Sequence, residues 1–140
     1  MSRRSRKSPP TEAHVRLYAH ETRCLAWKTL EPDARALLVE LRALYQPSQG
    51  NIVYLSIREA GRRLTIGQRR VQRAFDALLA RGWIAVHEPG GFIRKTRHAT
   101  AYRLENEPGA SPGAKAPKPY MRWLPESVDE NSGSQIDHTR

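Results

Sequence analysis

Residues 68–73 concentrate side chains that can recognise the edges of nucleic-acid bases. They are three arginines and two glutamines: Gln68, Arg69, Arg70, Gln72 and Arg73. A guanidinium can donate two parallel hydrogen bonds to guanine, and a primary amide can pair in a similar bidentate manner with adenine. This segment therefore predicts base contacts in the major groove of DNA. A solvated charged face is the alternative interpretation of the same residues.

The apolar residues of this segment predict the helix that would present those side chains. They recur at helical spacing and share one face: Val71, Ala74, Phe75 and Leu78. Arg69 and Arg73 fall on the opposite face, four residues apart, so that they project together. The helix is expected to begin near Gly67 or Gln68 and to end at Gly82, since glycine favours the position that follows a helix.

A second helix is predicted immediately before this one. Ser56 and Glu59 match the S-x-x-E capping box that marks a helix start, and the apolar pattern ends near Leu64. Residues 65–67 then form a tight turn. A helix, a tight turn and an arginine-rich second helix are the layout of a helix-turn-helix. Three bases of the earlier helix are expected to contact phosphates or simply to face solvent: Arg58, Arg62 and Arg63.

The flanking sequence predicts one more long helix and a small antiparallel sheet. Leucines recur at helical spacing over residues 32–45, and residues 14–30 suggest a short helix or an extended segment that packs on the domain. Strands are predicted near residues 52–55, 83–87 and 99–104. Between the last two strands a basic hairpin is expected to contact the DNA backbone or minor groove through Arg94, Lys95, Thr96, Arg97 and His98.

Both ends of the chain are predicted to lie outside the domain, which we place at residues 13–104. Residues 1–12 are predicted to form a basic disordered arm, either a minor-groove arm or a loose polyelectrolyte tail, whose bases are Arg3, Arg4, Arg6 and Lys7. Residues 105–140 are rich in Pro, Gly, Ala and Ser and are expected to be mostly disordered. The apolar segment 120–124 is the exception, and it either docks on the domain or binds a partner protein.

Composition narrows the class of protein and of partner. The 140 residues include 24 Lys and Arg against 14 Asp and Glu, a formal net charge of +10 that favours nucleic acid. No apolar run has membrane-spanning length and no signal peptide is evident, so we expect a cytoplasmic protein. His14, His20 and Cys24 lack a fourth ligand, so no metal and no cofactor are predicted. The sequence shows no nucleophile accompanied by a supporting base, so we do not predict an enzyme.

Several short motifs together resemble a known group. They are Ala-Trp at 26–27, Ser-Ile-Arg-Glu-Ala at 56–60, Gly-Trp-Ile at 82–84, Arg-Lys-Thr-Arg at 94–97, and the apolar segment near 120–123. The chain resembles bacterial winged helix-turn-helix proteins, especially short proteins of prophages and integrative elements related to plasmid replication-initiator DNA-binding domains. The resemblance implies an α+β winged helix with a three-helix core. Thr65 and Gly67 depart from the Gly and Ser that many such turns carry.

These observations predict a sequence-specific protein of duplex DNA, either a transcriptional regulator or a replication accessory protein of a mobile element. The alternative is an RNA-binding or ribosome-associated basic protein. RNA-binding domains usually expose aromatic side chains on a sheet, whereas here the aromatic residues are predicted to alternate into the core. The sequence leaves the oligomeric state undecided, and a homodimer is one alternative because helix-turn-helix proteins often bind paired half-sites.

Overall fold

A computed structural model describes residues 12–93 and 96–126, which form an α+β arrangement of short helices and antiparallel strands. The α-helices of this part of the chain are α1 (Ala19–Arg23), α2 (Leu25–Lys28), α3 (Pro32–Ala43), α4 (Ile57–Leu64) and α5 (Gln68–Ala80). Its strands are β1 (Ile52–Tyr54), β2 (Ile84–Glu88), β3 (Gly91–Ile93), β4 (Thr96–His98) and β5 (Ala101–Leu104). Two single-turn 3-10 helices are at Pro47–Gln49 and Pro119–Arg122.

The strands form a three-stranded antiparallel sheet and a separate hairpin. The sheet has the order β1-β5-β2, with Val53 and Val86 both paired to Tyr102 of the central strand. β3 pairs with β4, which places a two-stranded hairpin between β2 and β5, where the basic hairpin was predicted. The three predicted strands are confirmed to within two residues at each end. The arrangement is compatible with a winged helix.

The core lies between the helices and one face of the sheet. α3 packs against both α4 and α5, and the apolar face of α5 meets the sheet where Phe75 stacks on Tyr102 at a centroid distance of 4.9 Å. Trp83, which follows α5, is fully buried and donates from Nε1 to the carbonyl oxygen of Ala26 at 3.2 Å. Its indole therefore belongs to the core and not to a base-stacking surface.

Local signals in the sequence explain how α4 and α5 begin and end. The Ser56 hydroxyl accepts a hydrogen bond from the Glu59 backbone N–H at 3.0 Å, as the capping pattern predicted. The other half of the box is replaced, because the Glu59 carboxylate pairs with Arg62 and Arg63. The turn passes through Thr65 in the left-handed region at φ 57°, a conformation that is costly for a β-branched residue.

The folded domain extends past the boundary predicted at residue 104. Residues 105–126 are described, and the Lys118 N–H donates to the carbonyl oxygen of Glu105 at 3.0 Å. Asn51 Nδ2 donates to the carbonyl oxygens of Leu104 and Glu107 at 3.1 and 3.2 Å. Tyr120 is buried and stacks on Trp83 at a centroid distance of 4.0 Å. The segment 120–124 thus docks on its own domain, at least through Tyr120.

The segment before α3 packs mainly through its second half. Ala26 and Leu30 are buried, whereas Val15 and Leu17 are exposed and residues 12–18 belong to no helix or strand. Glu21 is fully buried and forms a salt bridge with Arg42 of α3. Among residues 12–93 and 96–126, no helix is long and apolar enough to cross a membrane.

Candidate nucleic-acid interface

The exposed face of α5 carries all the side chains predicted to contact bases. Burial follows the predicted division, because the four residues of the predicted apolar face are at most 3% exposed: Val71, Ala74, Phe75 and Leu78. The five residues predicted to contact bases are exposed: Gln68, Arg69, Arg70, Gln72 and Arg73. The core contacts of one face therefore fix the direction in which the opposite face points.

The start of α5 is electrostatically positive. Gly67 caps the helix with an extended backbone at φ −72° and ψ 162°, and the first turn contains no acidic residue. The unpaired N–H groups of a first helical turn carry a partial positive charge, to which Arg69 adds a full charge. This end of the helix is suited to approach a polyanion.

Two of the α5 arginines are paired with carboxylates at the start of α3. Arg70 donates to Asp33 through Nε to Oδ2 at 2.8 Å and through Nη2 to Oδ1 at 2.7 Å. Arg73 Nη2 lies 3.2 Å from Glu31 Oε1. The hydrogen bonds from Arg70 hold the pKa of Asp33 below its ordinary value of 3.8.

Gln72 and Arg69, also on this face, differ in whether they form hydrogen bonds within the protein. Gln72 Nε2 donates to Asp76 Oδ1 at 3.0 Å, one turn later in α5. Arg69 makes no hydrogen bond or ion pair with any other described residue. The Arg69 guanidinium can therefore meet an external acceptor without losing an internal contact.

The bases of α4 form a second exposed group, and acidic residues hold most of them. Arg62 pairs with Glu59, and Arg63 lies 3.4 Å from both Glu59 and Glu40 of α3. Arg58 is exposed and has no ion-pair partner in the described part of the chain. Arg58 is consequently the α4 base most available to a phosphate.

The remaining predicted contacts can be placed only in part. Thr96, Arg97 and His98 lie in β4, where Thr96 pairs with Ile93 and Arg97 with Phe92. Arg94 and Lys95, which were predicted in the same hairpin, lie outside the described residues. The same is true of the four bases of the arm: Arg3, Arg4, Arg6 and Lys7.

Sequence reasoning missed the carboxylates that hold the α5 arginines. Glu31 and Asp33 flank Pro32, where acidic residues commonly favour a helix start. That local role hides a contact with residues about forty positions later in the chain. Their only visible signal was a pair of acids in the only long helix predicted outside the helix-turn-helix.

The candidate metal ligands do not converge. In the part of the chain that the structure describes, no three His, Cys, Asp or Glu side chains are grouped as a metal site would require. Cys24 instead donates from Sγ to the carbonyl oxygen of Glu21 at 3.0 Å. A cavity of about 500 Å³ is lined by residues of 12–16, 42–47 and 104–107, so it does not include the exposed face of α5.

Comparison with known proteins adds no further information about this surface. No protein-family model matches the chain, and no curated protein or solved structure is similar to it. The chemistry of the surface therefore rests on its own residues.

Proposed function

We propose that this protein is a winged-helix protein that binds double-stranded DNA in a sequence-specific manner. In this proposal α5 enters the major groove, and the β3–β4 hairpin contacts the backbone or the minor groove. One observation carries the proposal. The exposed face at the start of α5 holds arginines and glutamines alone among its polar groups, on the second of two helices joined by a short turn.

The distribution of roles follows from which bases are already engaged. Arg69 can form a bidentate contact with a guanine edge, and Gln68 lies beside it at the helix start. Arg58 is suited to a phosphate, which fixes the register of the protein on the duplex but does not distinguish sequences. The bases of the hairpin and of the arm would add further contacts to the backbone.

The cellular role that we propose rests on the resemblance of the sequence. It is a transcriptional regulator or a replication accessory protein of a bacterial mobile element, acting in the cytoplasm at the nucleoid. Helix-turn-helix proteins often bind paired half-sites, one copy on each. We therefore propose that this protein binds DNA as a homodimer.

One observation favours RNA as the alternative ligand. Tyr54 of β1 is 59% exposed, and aromatic side chains on a sheet are what RNA-binding domains use for stacking. Against this alternative, Phe75, Trp83 and Tyr102 are all buried. Tyr54 by itself offers one stacking position, whereas α5 offers five polar side chains on one face.

The experiment begins by capturing a target from randomised duplexes with the full chain. Affinity for that target and for a scrambled duplex is then titrated at several salt concentrations, with single-stranded RNA as competitor. Binding should weaken with salt by about 0.9 log units per log unit of salt for each phosphate neutralised. RNA that competes as well as duplex DNA would favour the alternative.

Arg69→Ala and Arg58→Ala are a matched pair, since each removes one exposed arginine without an ion-pair partner in the described part of the chain. Arg69→Ala should reduce binding to the target far more than to the scrambled duplex, by roughly 1–3 kcal/mol of discrimination. Arg58→Ala should weaken both alike and lower the salt slope by about one. Equal losses on both duplexes for Arg69→Ala would remove α5 from the role of reader.

A further inference from the structure

The acidic pair at the start of α3 lies beside the arginines of α5, and this arrangement suggests more than stability. We infer that Asp33 is a positioning residue that fixes the direction of the Arg70 guanidinium and thereby determines which base the protein prefers. Glu31 acts on Arg73 in the same way but less strongly. This inference rests on the proposed function, because it assigns a role within DNA recognition.

The hydrogen bonds of the pair leave one edge of the guanidinium open. Arginine has five N–H donors, and Asp33 accepts from Nε and from Nη2. The two N–H groups of Nη1 and the second N–H of Nη2 stay available. The Nη1–Nη2 edge thus still presents two parallel donors, which match the N7 and O6 acceptors of guanine.

The exposure of the Arg70–Asp33 pair indicates that its main role is not to stabilise the fold. The Arg70 side chain is 58% exposed and that of Asp33 is 27% exposed. Ion pairs with this degree of exposure contribute little to stability, because water and salt screen them. They nevertheless restrict a long side chain to one orientation. An arginine held in advance loses less rotamer freedom when it binds a base.

Arg73 provides an internal contrast. It makes a single hydrogen bond to Glu31, at 3.2 Å, and both side chains are more than 60% exposed. One bond permits rotation about the contact, whereas the two bonds of Arg70 and Asp33 do not. Arg70 should therefore have a stricter base preference than Arg73.

A simpler role for these carboxylates is general repulsion of the phosphate backbone. In that case their removal would strengthen binding to every duplex equally. The control is Glu40→Gln, because Glu40 also pairs with an arginine of the helix-turn-helix segment, Arg63, at 3.4 Å. Asp33→Asn and Glu40→Gln each delete one negative charge, but only Asp33→Asn removes a bidentate contact from α5.

The test is titration of the wild type and both variants against the captured target, a scrambled duplex, and targets with each base pair changed. Both variants should bind the scrambled duplex somewhat more tightly. Only Asp33→Asn should lower the ratio of target to scrambled affinity, on the order of tenfold, with the loss confined to one or two base pairs. In an Arg70→Ala background, Asp33→Asn should change the ratio no further.

Arg70→Lys keeps the charge on α5 but cannot form the bidentate contact. It should lower the ratio as Asp33→Asn does, so the inference can be tested even if Asp33→Asn fails to fold. The inference is overturned if Arg70→Lys and Asp33→Asn both keep the wild-type ratio of target to scrambled affinity. It is also overturned if Asp33→Asn merely tightens all binding as Glu40→Gln does. A wild type that does not distinguish target from scrambled duplex would instead overturn the proposed function.

Discussion

Two groups of side chains near opposite ends of α5 use the same ion-pair chemistry in different surroundings. The buried cluster consists of Glu21, Arg42, Trp83 and Tyr120. The exposed cluster consists of Glu31, Asp33, Arg70 and Arg73. Each contains an arginine that meets a carboxylate through two hydrogen bonds. The side chains of Glu21 and Arg42 are 0% and 4% exposed, whereas those of the exposed cluster all reach solvent.

Burial gives the two clusters different tasks. In the buried cluster Arg42 also donates to the carbonyl oxygen of Arg16 at 3.0 Å, and its guanidinium lies 5.7 Å from the Trp83 ring centroid. Its charge is therefore balanced inside the protein. In the exposed cluster the arginines keep donors directed at solvent. The comparison indicates that one end of α5 holds the fold while the other end stays available for a ligand.

The largest effect is expected from Glu21→Gln. Removal of one partner of a buried pair leaves the other charge without compensation, which typically costs about 3–5 kcal/mol of unfolding free energy. Arg42 would keep its position beside Trp83 but lose the carboxylate. Unfolding in urea, followed by tryptophan fluorescence, measures the change.

Asp33→Asn is the control from the exposed cluster, and its urea midpoint should stay close to that of the wild type. Below its melting temperature Glu21→Gln should bind the target duplex as the wild type does. If Asp33→Asn were the more destabilising variant, the assignment of tasks to the two clusters would be reversed.

Gly82→Ala should have the next largest effect on stability. Gly82 follows the C-terminal end of α5, the end beside the buried cluster. Gly82 has φ +80°, and an added Cβ would lie 3.0 Å from Pro119 Cγ. The change therefore combines backbone strain of about 1–3 kcal/mol with displacement of the segment that carries Tyr120. The measurement is thermal unfolding together with tryptophan fluorescence, to which Trp83 and Trp123 beside this segment contribute.

Gly113→Ala is the matched control, because Gly113 has φ +76° but no atom lies within 4 Å of an added Cβ. Its cost should be the backbone strain alone. Equal losses for Gly82→Ala and Gly113→Ala would show that the docking of residues 119–120 contributes nothing to stability.

The residues of the two clusters and of α5 differ in how well the sequence predicted their roles. Ser56, the apolar spacing of α5 and Gly82 act within one or two helical turns, so their roles could be predicted locally. Glu21 lies in a polar stretch and Arg42 in a leucine-rich helix, and only tertiary packing buries them together. Position along the chain gives no signal of such a pair.

The same limit applies to the exposed surface and to the end of the domain. The direction of the α5 arginines followed from helix periodicity, but the contact between Arg70 and Asp33 joins residues 37 positions apart. Tyr120 follows a stretch rich in Pro, Gly and Ala, a composition typical of disorder. Its burial depends on Trp83, which no local pattern connects to it.

A smaller effect, of opposite sign, is expected in the turn before α5. Thr65 adopts φ 57°, which costs a β-branched residue about 1–2 kcal/mol. Thr65→Gly removes that strain but adds about 0.5–1 kcal/mol of chain entropy in the unfolded state. We expect a net gain of about 0.5–1 kcal/mol in urea unfolding. Thr65→Asn, which tolerates this conformation, should also be stabilising; a loss in both variants would mean that the Thr65 side chain makes a contact of its own.

The smallest effect, and the most direct comparison of the clusters, is their response to acid. Burial alone would raise the pKa of Glu21, but hydrogen bonds from Arg42 and from the Tyr18 N–H hold it below the ordinary value of 4.5. The hydrogen bonds from Arg70 likewise hold the pKa of Asp33 below 3.8. A carboxyl whose pKa is depressed by folding contributes stability above its unfolded pKa, and that contribution is lost as the pH falls through the folded pKa.

The stability difference between the wild type and Glu21→Gln should therefore shrink as the pH falls below about 4.5. Protonation of Asp33 should remove a smaller contribution to stability than protonation of Glu21, since the pair of Asp33 with Arg70 is exposed and screened by solvent. Carboxyl chemical shifts of Asp33, followed by NMR from pH 5 to pH 2 (roughly the span across its ordinary value), should give a midpoint below that value. Arg70→Ala should move that midpoint upward, while Arg69→Ala, which deletes an arginine without a carboxylate partner among the described residues, should leave it nearly in place. If both variants move it equally, Asp33 responds to the general positive field of α5, and the hydrogen bonds from Arg70 do not hold it.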